Sequence, residues 1–273
     1  MGVYSKYLYQ LVQSVAYSLD DCRVVTAEAG STNTNFICSY LTEADDYFKG
    51  WDLRIFAGVN AGQTRKVSDF HNTNTTVIVA PAFTSALATN SQGEFHRLYS
   101  YEQYKDAINR AIEMARDDYL IDKIDETVAL ATDTYEYAIP AGFRYICGIW
   151  LEDPTDANTY YDSGWIHMNH YTVMPHNTTA NKLKFHDNSY AIGASVNGKK
   201  LRIIGLATQE VLSNDSDTCE LPPEYVIQQA RALLLYTRDD KQTVADRAQG
   251  RANEERRQMV TTVPALAKTV FET

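Results

Sequence analysis

The spacing of apolar residues divides the chain into helix-like and strand-like stretches that alternate along its length. Tyr4, Leu8, Leu11, Val12, Val15 and Leu19 recur at helical spacing with Ser5, Lys6, Gln10, Gln13 and Ser14 opposite them, which predicts an amphipathic helix within residues 1–25. Short strand-like runs follow around Arg23 to Thr26 and Asn35 to Ser39, then from Trp51 to Gly58, Ala61 to Val67, Thr75 to Val79 and Gly93 to Tyr99. Gly58, Gly62 and the run His71-Asn72-Thr73-Asn74 punctuate them as turns, so residues 26–99 read as a small antiparallel sheet or barrel.

Ser100 followed by Gln103 has the spacing of a capping box, in which the two residues satisfy each other's backbone N–H groups. Tyr101, Tyr104, Ile108, Ala111, Ile112, Ala115 and Tyr119 then line one face, predicting a helix over residues 100–126. From Ala131 the period drops to two: Tyr135, Tyr137 and Ile139 alternate with Thr134, Glu136 and Ala138, and a second antiparallel lobe is expected over residues 127–210. Pro222 and Pro223 suit a helix start, and Val226, Ile227, Ala230, Leu233 and Leu234 give the helical region 221–258 an apolar stripe. From Arg238 to Arg257 charges of both signs replace large apolar residues and Gly250 intervenes, so this part reads as an unfolded charged segment rather than a core helix. The expected fold class is α+β, with antiparallel β lobes, amphipathic helices and an extended C-terminal arm.

The 273 residues suffice for two compact lobes. Their 35 acidic and 25 basic side chains give a net charge of −10, which offers no basic footprint for tight nucleic-acid binding, although an acidic wall would let DNA slide past without sticking. Cys22, Cys38, Cys147 and Cys219 stand alone, without Cys-x-x-Cys pairs or zinc-ligand histidine spacing, and read as reduced core residues. No signal-peptide pattern and no membrane-length apolar run occur, from which a cytosolic site of synthesis is expected.

Catalytic signatures are weak. His167, His170 and His176 with Asp162 are the one cluster that could hold a metal, but two histidines three residues apart in a strand point to opposite faces. The chain has no Gly-x-Ser-x-Gly elbow and no phosphate-binding glycine loop. Asp153, Asp156 and Asp162, the candidates for a carboxylate pair, fall in a turn-rich stretch where acidic residues are common anyway. No catalytic residue, cofactor or metal is expected, and the 19 tyrosines are assigned to cores and interfaces.

Four stretches carry a resemblance. They are Asp52-Leu53-Arg54-Ile55 with Gly62-Gln63-Thr64-Arg65-Lys66-Val67, Gly93 to Ser100 running into Ala107-Ile108-Asn109-Arg110-Ala111, Tyr135 to Phe143, and Leu221 to Ile227 with the Ala/Leu-rich helix behind it. In this order, over roughly residues 50–238, they resemble the head-to-tail adaptor, or neck, proteins of tailed bacteriophages. The resemblance implies a virion protein assembled in the host cytoplasm. It would form a ring, commonly of twelve copies, between the portal and the stopper or tail, pass DNA without reading its sequence, and carry no catalytic residue or cofactor. Many adaptors are small helical bundles, whereas this chain is longer and mostly β between its helices. That keeps open another neck or tail ring such as a tail terminator, and a carbohydrate- or receptor-binding β module of a fibre or baseplate with Trp150, Trp165, Tyr160 and Tyr161 as its platform.

The tail is the expected docking element. Met259, Val260, Val263, Leu266, Val270 and Phe271 are apolar residues in a stretch too short to fold alone, and each large side chain gains roughly 1.5–3 kcal/mol when buried. An arm over residues 259–273 that orders on the portal or a neighbouring subunit resolves the mismatch.

Overall fold

The computed structural model describes residues 5–152, 165–175, 181–187 and 189–270, which divide between two units, each made of two separate stretches of chain. Residues 1–115 and 210–259 form the first, 116–209 and 260–273 the second. The chain is α+β, and every strand pairing is antiparallel. It opens with the short strand β1 (Lys6–Tyr7) and helix α1 (Leu8–Ser18), then runs through β2 (Arg23–Thr26), β3 (Asn35–Ile37), β4 (Asp52–Ala57), β5 (Thr64–His71), β6 (Thr76–Ala80) and β7 (Gln92–His96) into α2 (Tyr101–Ala115). It crosses into the second unit for β8 (Ile121–Asp125), β9 (Glu136–Ala138), β10 (Phe143–Glu152), β11 (Trp165–His167), β12 (Tyr171–Met174), β13 (Lys182–Phe185) and β14 (Leu201–Ala207). It returns to the first for β15 (Thr218–Cys219), α3 (Pro223–Tyr236) and α4 (Gln242–Gln258), and ends in the second with β16 (Lys268–Thr269).

In the first unit six strands lie in the order β2-β7-β4-β5-β6-β3. Just past the end of β2 the Glu28 N–H donates to the Ile37 carbonyl of β3 at 2.9 Å, so the two edges meet and the sheet curls toward a barrel. Alternation along the strands fills the inside with Leu53, Ile55, Val67, Phe70, Val77, Val79 and Phe95. Phe48 sits among them, its ring centroid 4.8 Å from Phe95 and 5.0 Å from Phe70. The other face of β4 and β7 carries Asp52, Arg54, Glu94 and His96, all buried.

The helices form the remainder of this unit. The Ser100 N–H donates to Gln103 Oε1 at 2.8 Å and the Gln103 N–H donates to Ser100 Oγ at 3.3 Å, closing the capping box at the start of α2. The helix ends at Ala115, and residues 121–125 form strand β8, correcting the expected helix to 126. Leu120, Ile121 and Ile124 are apolar, but β8 pairs with β14 and its alternating half-buried and exposed positions follow a period of two.

The segment expected to be unfolded is helix α4, a second correction. Buried Ala245, Ala248 and Ala252 give it a narrow small-residue face against α3, and its Ala, Arg, Gln and Glu content favours the helix even without large apolar side chains. Gln229 and Gln249 exchange reciprocal carboxamide hydrogen bonds of 3.0 and 2.8 Å between the two helices.

The second unit packs the strands β11-β10-β14-β8 and the three-stranded sheet β12-β13-β9 around one core that includes Ile146, Ile149, Leu151, Leu201, Ile203, Leu183 and Phe185. Strand β16 adds to β10 with Ile146 opposite Lys268. Two register shifts in the β10–β14 pair, between Phe143 and Tyr145 and between Ile146 and Gly148, coincide with close backbone approach. A Cβ on Gly205 would stand 2.1 Å from the Tyr145 carbonyl oxygen. Gly205→Ala is therefore expected to destabilise the second unit by roughly 1–3 kcal/mol or more, read from its urea midpoint. An unchanged midpoint would contradict the close approach.

Candidate functional site

The polar groups that the fold concentrates most tightly lie between the first unit's sheet and helices. Strand pairing sets Arg54 directly opposite Glu94 and Asp52 opposite His96. The Arg54 side chain is 2% exposed and that of Glu94 0%, with Arg54 Nη1 donating to Glu94 Oε1 at 3.2 Å. Its Nη2 donates to Asp215, which precedes β15, and its guanidinium lies 3.6 Å from the Tyr101 ring centroid on α2. Gln13 of α1 donates to Glu94 Oε2 at 3.0 Å. His96 Nε2 sits 3.2 Å from Glu94 Oε1 without the alignment of a hydrogen bond.

Next to this group the Asp21 carboxylate is held by the turn that leads into α2. Its Oδ1 accepts the N–H groups of Arg97 and Leu98, each at 2.7 Å, and its Oδ2 accepts the Tyr99 N–H at 3.1 Å and the Tyr104 hydroxyl at 2.6 Å. Burial, then the Asp21 hydrogen bond, pushes the Tyr104 phenol up; burial, then Asp215, does the same for Tyr101. Both tyrosines therefore stay protonated donors. These ion pairs and hydrogen bonds join strands β4 and β7 to α1, α2 and the segment before β15, and so tie the helices to the sheet. The sequence carried a partial signal: Asp-x-Arg in one strand and Glu-x-His in another place charge at alternate positions of otherwise apolar runs.

Among the described residues, those with candidate chemistry have partners of their own. The His167 ring lies tilted against Trp150 with centroids 4.9 Å apart, and Arg202 covers Trp165 at 4.1 Å, so both tryptophans of the suggested binding platform are engaged by their own chain. His170 lies against Tyr190. His176, Asp153, Asp156, Asp162, Tyr160 and Tyr161 lie outside the described residues. Among the described residues no group of three His, Cys, Asp or Glu side chains is placed to hold a metal ion, and no helix is long and apolar enough to cross a membrane.

The arm is tied down more than expected. The Thr261 N–H donates to the Asp118 carbonyl at 2.8 Å, and the Val270 N–H donates to the Arg144 carbonyl at 2.9 Å. Lys268 donates to the Tyr171 carbonyl and lies over that ring. Met259 is buried and Val270 belongs to the second unit's core, which corrects their assignment as docking residues: backbone pairing to β10 and the chain's own apolar surface already satisfy them. Val263 is half-buried, and Phe271 lies outside the described residues. Val260 and Leu266, 60% and 88% exposed, remain open to solvent.

Other large side chains share that openness. Tyr40 is 80% exposed, and Tyr47 is exposed beside Trp51, with Arg97 over the Trp51 ring. Tyr7, Tyr9 and Phe56 stack in series at centroid distances of 5.9 and 6.1 Å, with Tyr7 exposed at one end. No protein-family model matches the chain, and no curated protein is significantly similar to it.

All four cysteines are free. Burial and then the Glu94 charge push the Cys22 thiol up to about 12, and burial pushes Cys219 up to about 11. Since the thiolate is the reactive form, a raised pKa leaves both as neutral thiols at neutral pH, and both should alkylate slowly until the protein is unfolded. Rapid labelling of either in the native protein would contradict this. Arg54→Met should cost about 3–5 kcal/mol by stranding Glu94, while Arg54→Met with Glu94→Gln should recover part of that loss. Denaturant titration of the single and double variants measures it.

Proposed function

We propose that this chain is a structural virion protein of a tailed bacteriophage, a head-to-tail adaptor whose copies form a ring between the portal and the stopper or tail. Its role on this reading is assembly rather than catalysis, at the neck of the particle, after synthesis in the host cytoplasm. The observation that carries it is the exposed surface of large side chains: Tyr40, Tyr47, Val260 and Leu266 stand in water, with the Tyr7-Tyr9-Phe56 stack as a further aromatic patch. Tyr and Trp with Arg over them are the side chains that dominate protein interfaces, and large exposed apolar groups mark surfaces awaiting a partner. The order of the segments that resemble the adaptor family supports the same reading.

Val260 and Leu266 are the arm residues left for docking, because Met259 and Val270 are committed within the chain. Val260→Asp with Leu266→Asp should leave the melting temperature within about 2 °C, since neither side chain is buried, yet should abolish attachment of the protein to heads in an assembly assay. Wild-type attachment by that variant would remove the arm from the docking surface. Absence of the protein from purified virions would sink the adaptor reading itself.

On this reading passing DNA meets a repelling or neutral wall, in keeping with the net charge of −10. The isolated protein is accordingly expected to bind duplex DNA weakly, and tight binding with a steep salt dependence would contradict this wall.

A further inference from the structure

Strand β8 ends the sheet β11-β10-β14-β8, and β14 is its one partner strand among the described residues. An edge strand keeps a row of backbone N–H and C=O groups available to another strand, and proteins commonly guard such an edge with charged side chains. Here the charges are Asp122, Lys123 and Asp125, set around an Ile124 that is 61% exposed. Lys123 donates to the Ala141 carbonyl at 2.8 Å and lies 5.3 Å from the Phe143 ring centroid. Asp125 accepts through Oδ1 alone, from the Thr127 N–H at 2.9 Å and the Thr127 hydroxyl at 2.6 Å. Neither Lys123 nor Asp125 has an ion-pair partner among the described residues, and alternation places both on one face of the strand.

We infer that β8 pairs antiparallel with β8 of a second copy of this chain, in the register that sets Ile124 opposite Ile124. Two copies of one edge extend a sheet about a two-fold axis perpendicular to it, so the register is fixed by the residue on that axis. Centring on Asp122, Lys123 or Asp125 would place two like charges face to face, and centring on Ile121 would oppose Asp125 to Asp117. Centring on Ile124 instead sets Lys123 of each copy opposite Asp125 of the other, which supplies both with the counter-charge they lack. On the other face the exposed isoleucine meets its own copy. Asp122 comes opposite Glu126 there, and that like-charged pair is offset by Arg202, whose Nε donates to Glu126 Oε1 at 2.6 Å. The strand is thus complementary to itself in one register, which is the argument for a second copy over an unrelated strand. A two-fold contact closes on itself at two copies, so it differs from any contact that closes a ring and stands apart from the adaptor reading.

Cross-linking of the full-length protein tests the register. Opposite residues of an antiparallel pair bring their Cβ atoms to about 4.5–5.5 Å, from which a small movement closes a disulfide. Ile124→Cys under mild oxidation should therefore form disulfide-linked pairs on a non-reducing gel, and the wild-type chain should not. Ile166→Cys is the control, since Ile166 is 47% exposed on β11 at the opposite edge of the same sheet, and it should stay unlinked. Sedimentation equilibrium gives the second measurement: Ile124→Asp should raise the dissociation constant of the pair roughly tenfold or more by setting two carboxylates on the axis. Its melting temperature should be unchanged, because the side chain it replaces is largely in water. If that variant melts early, the cysteine comparison decides alone. Ile124→Cys that stays unlinked, or that links no faster than Ile166→Cys, overturns the pairing, as does an Ile124→Asp protein that melts normally and associates like the wild type.

Discussion

A guanidinium group withdrawn from water has to be neutralised where it lies, and Arg54 imposes that condition on the whole first unit. Desolvation costs several kcal/mol per ion, so the side chain is tolerable only with Glu94, Asp215 and the Tyr101 ring in place together. Those partners belong to the neighbouring strand, to the segment returning from the second unit, and to α2. Glu94 extends the condition to α1 through Gln13. One charge thus selects the arrangement of sheet and helices, where apolar contact alone would accept many similar packings.

Local chemistry was readable from the sequence wherever one element sufficed to express it. The Ser100–Gln103 box and the buried face from Tyr101 to Ala115 are stated by spacing alone, and the inward positions of β4 to β7 follow from alternation. Pairing was not readable. Arg54 and Glu94 are 40 residues apart, and only the strand register makes them opposite neighbours. The end of α2 was missed because Leu120, Ile121 and Ile124 suit a helical stripe nearly as well as an edge strand, until β14 arrives to pair with them.

The tail and α4 show how burial can be satisfied without large apolar area. Alanines suffice for α4 because small side chains bring its backbone close to α3, so a segment rich in charge still joins the unit. In the tail a two-residue strand and one buried valine anchor residues that looked destined for another molecule, leaving Val260 and Leu266 on the outside. How many large apolar residues a segment holds therefore says little about whether it is ordered. Which neighbour the chain has already placed beside it says more.

The alternating path of the chain also sets a schedule. Asp215 lies 161 residues after Arg54, and a ribosome adding roughly 5–20 residues per second takes about 8–30 s to deliver it. During that interval the nascent sheet displays Arg54 and Glu94 on a face whose covering helices are incomplete, while residues 116–209 of the second unit emerge in between. The first sheet to be synthesised is thus sealed only after most of the second unit has emerged. A translation pause before Glu210 would lengthen the exposure of that charged face to chaperones and proteases, and faster delivery of α3 would shorten it.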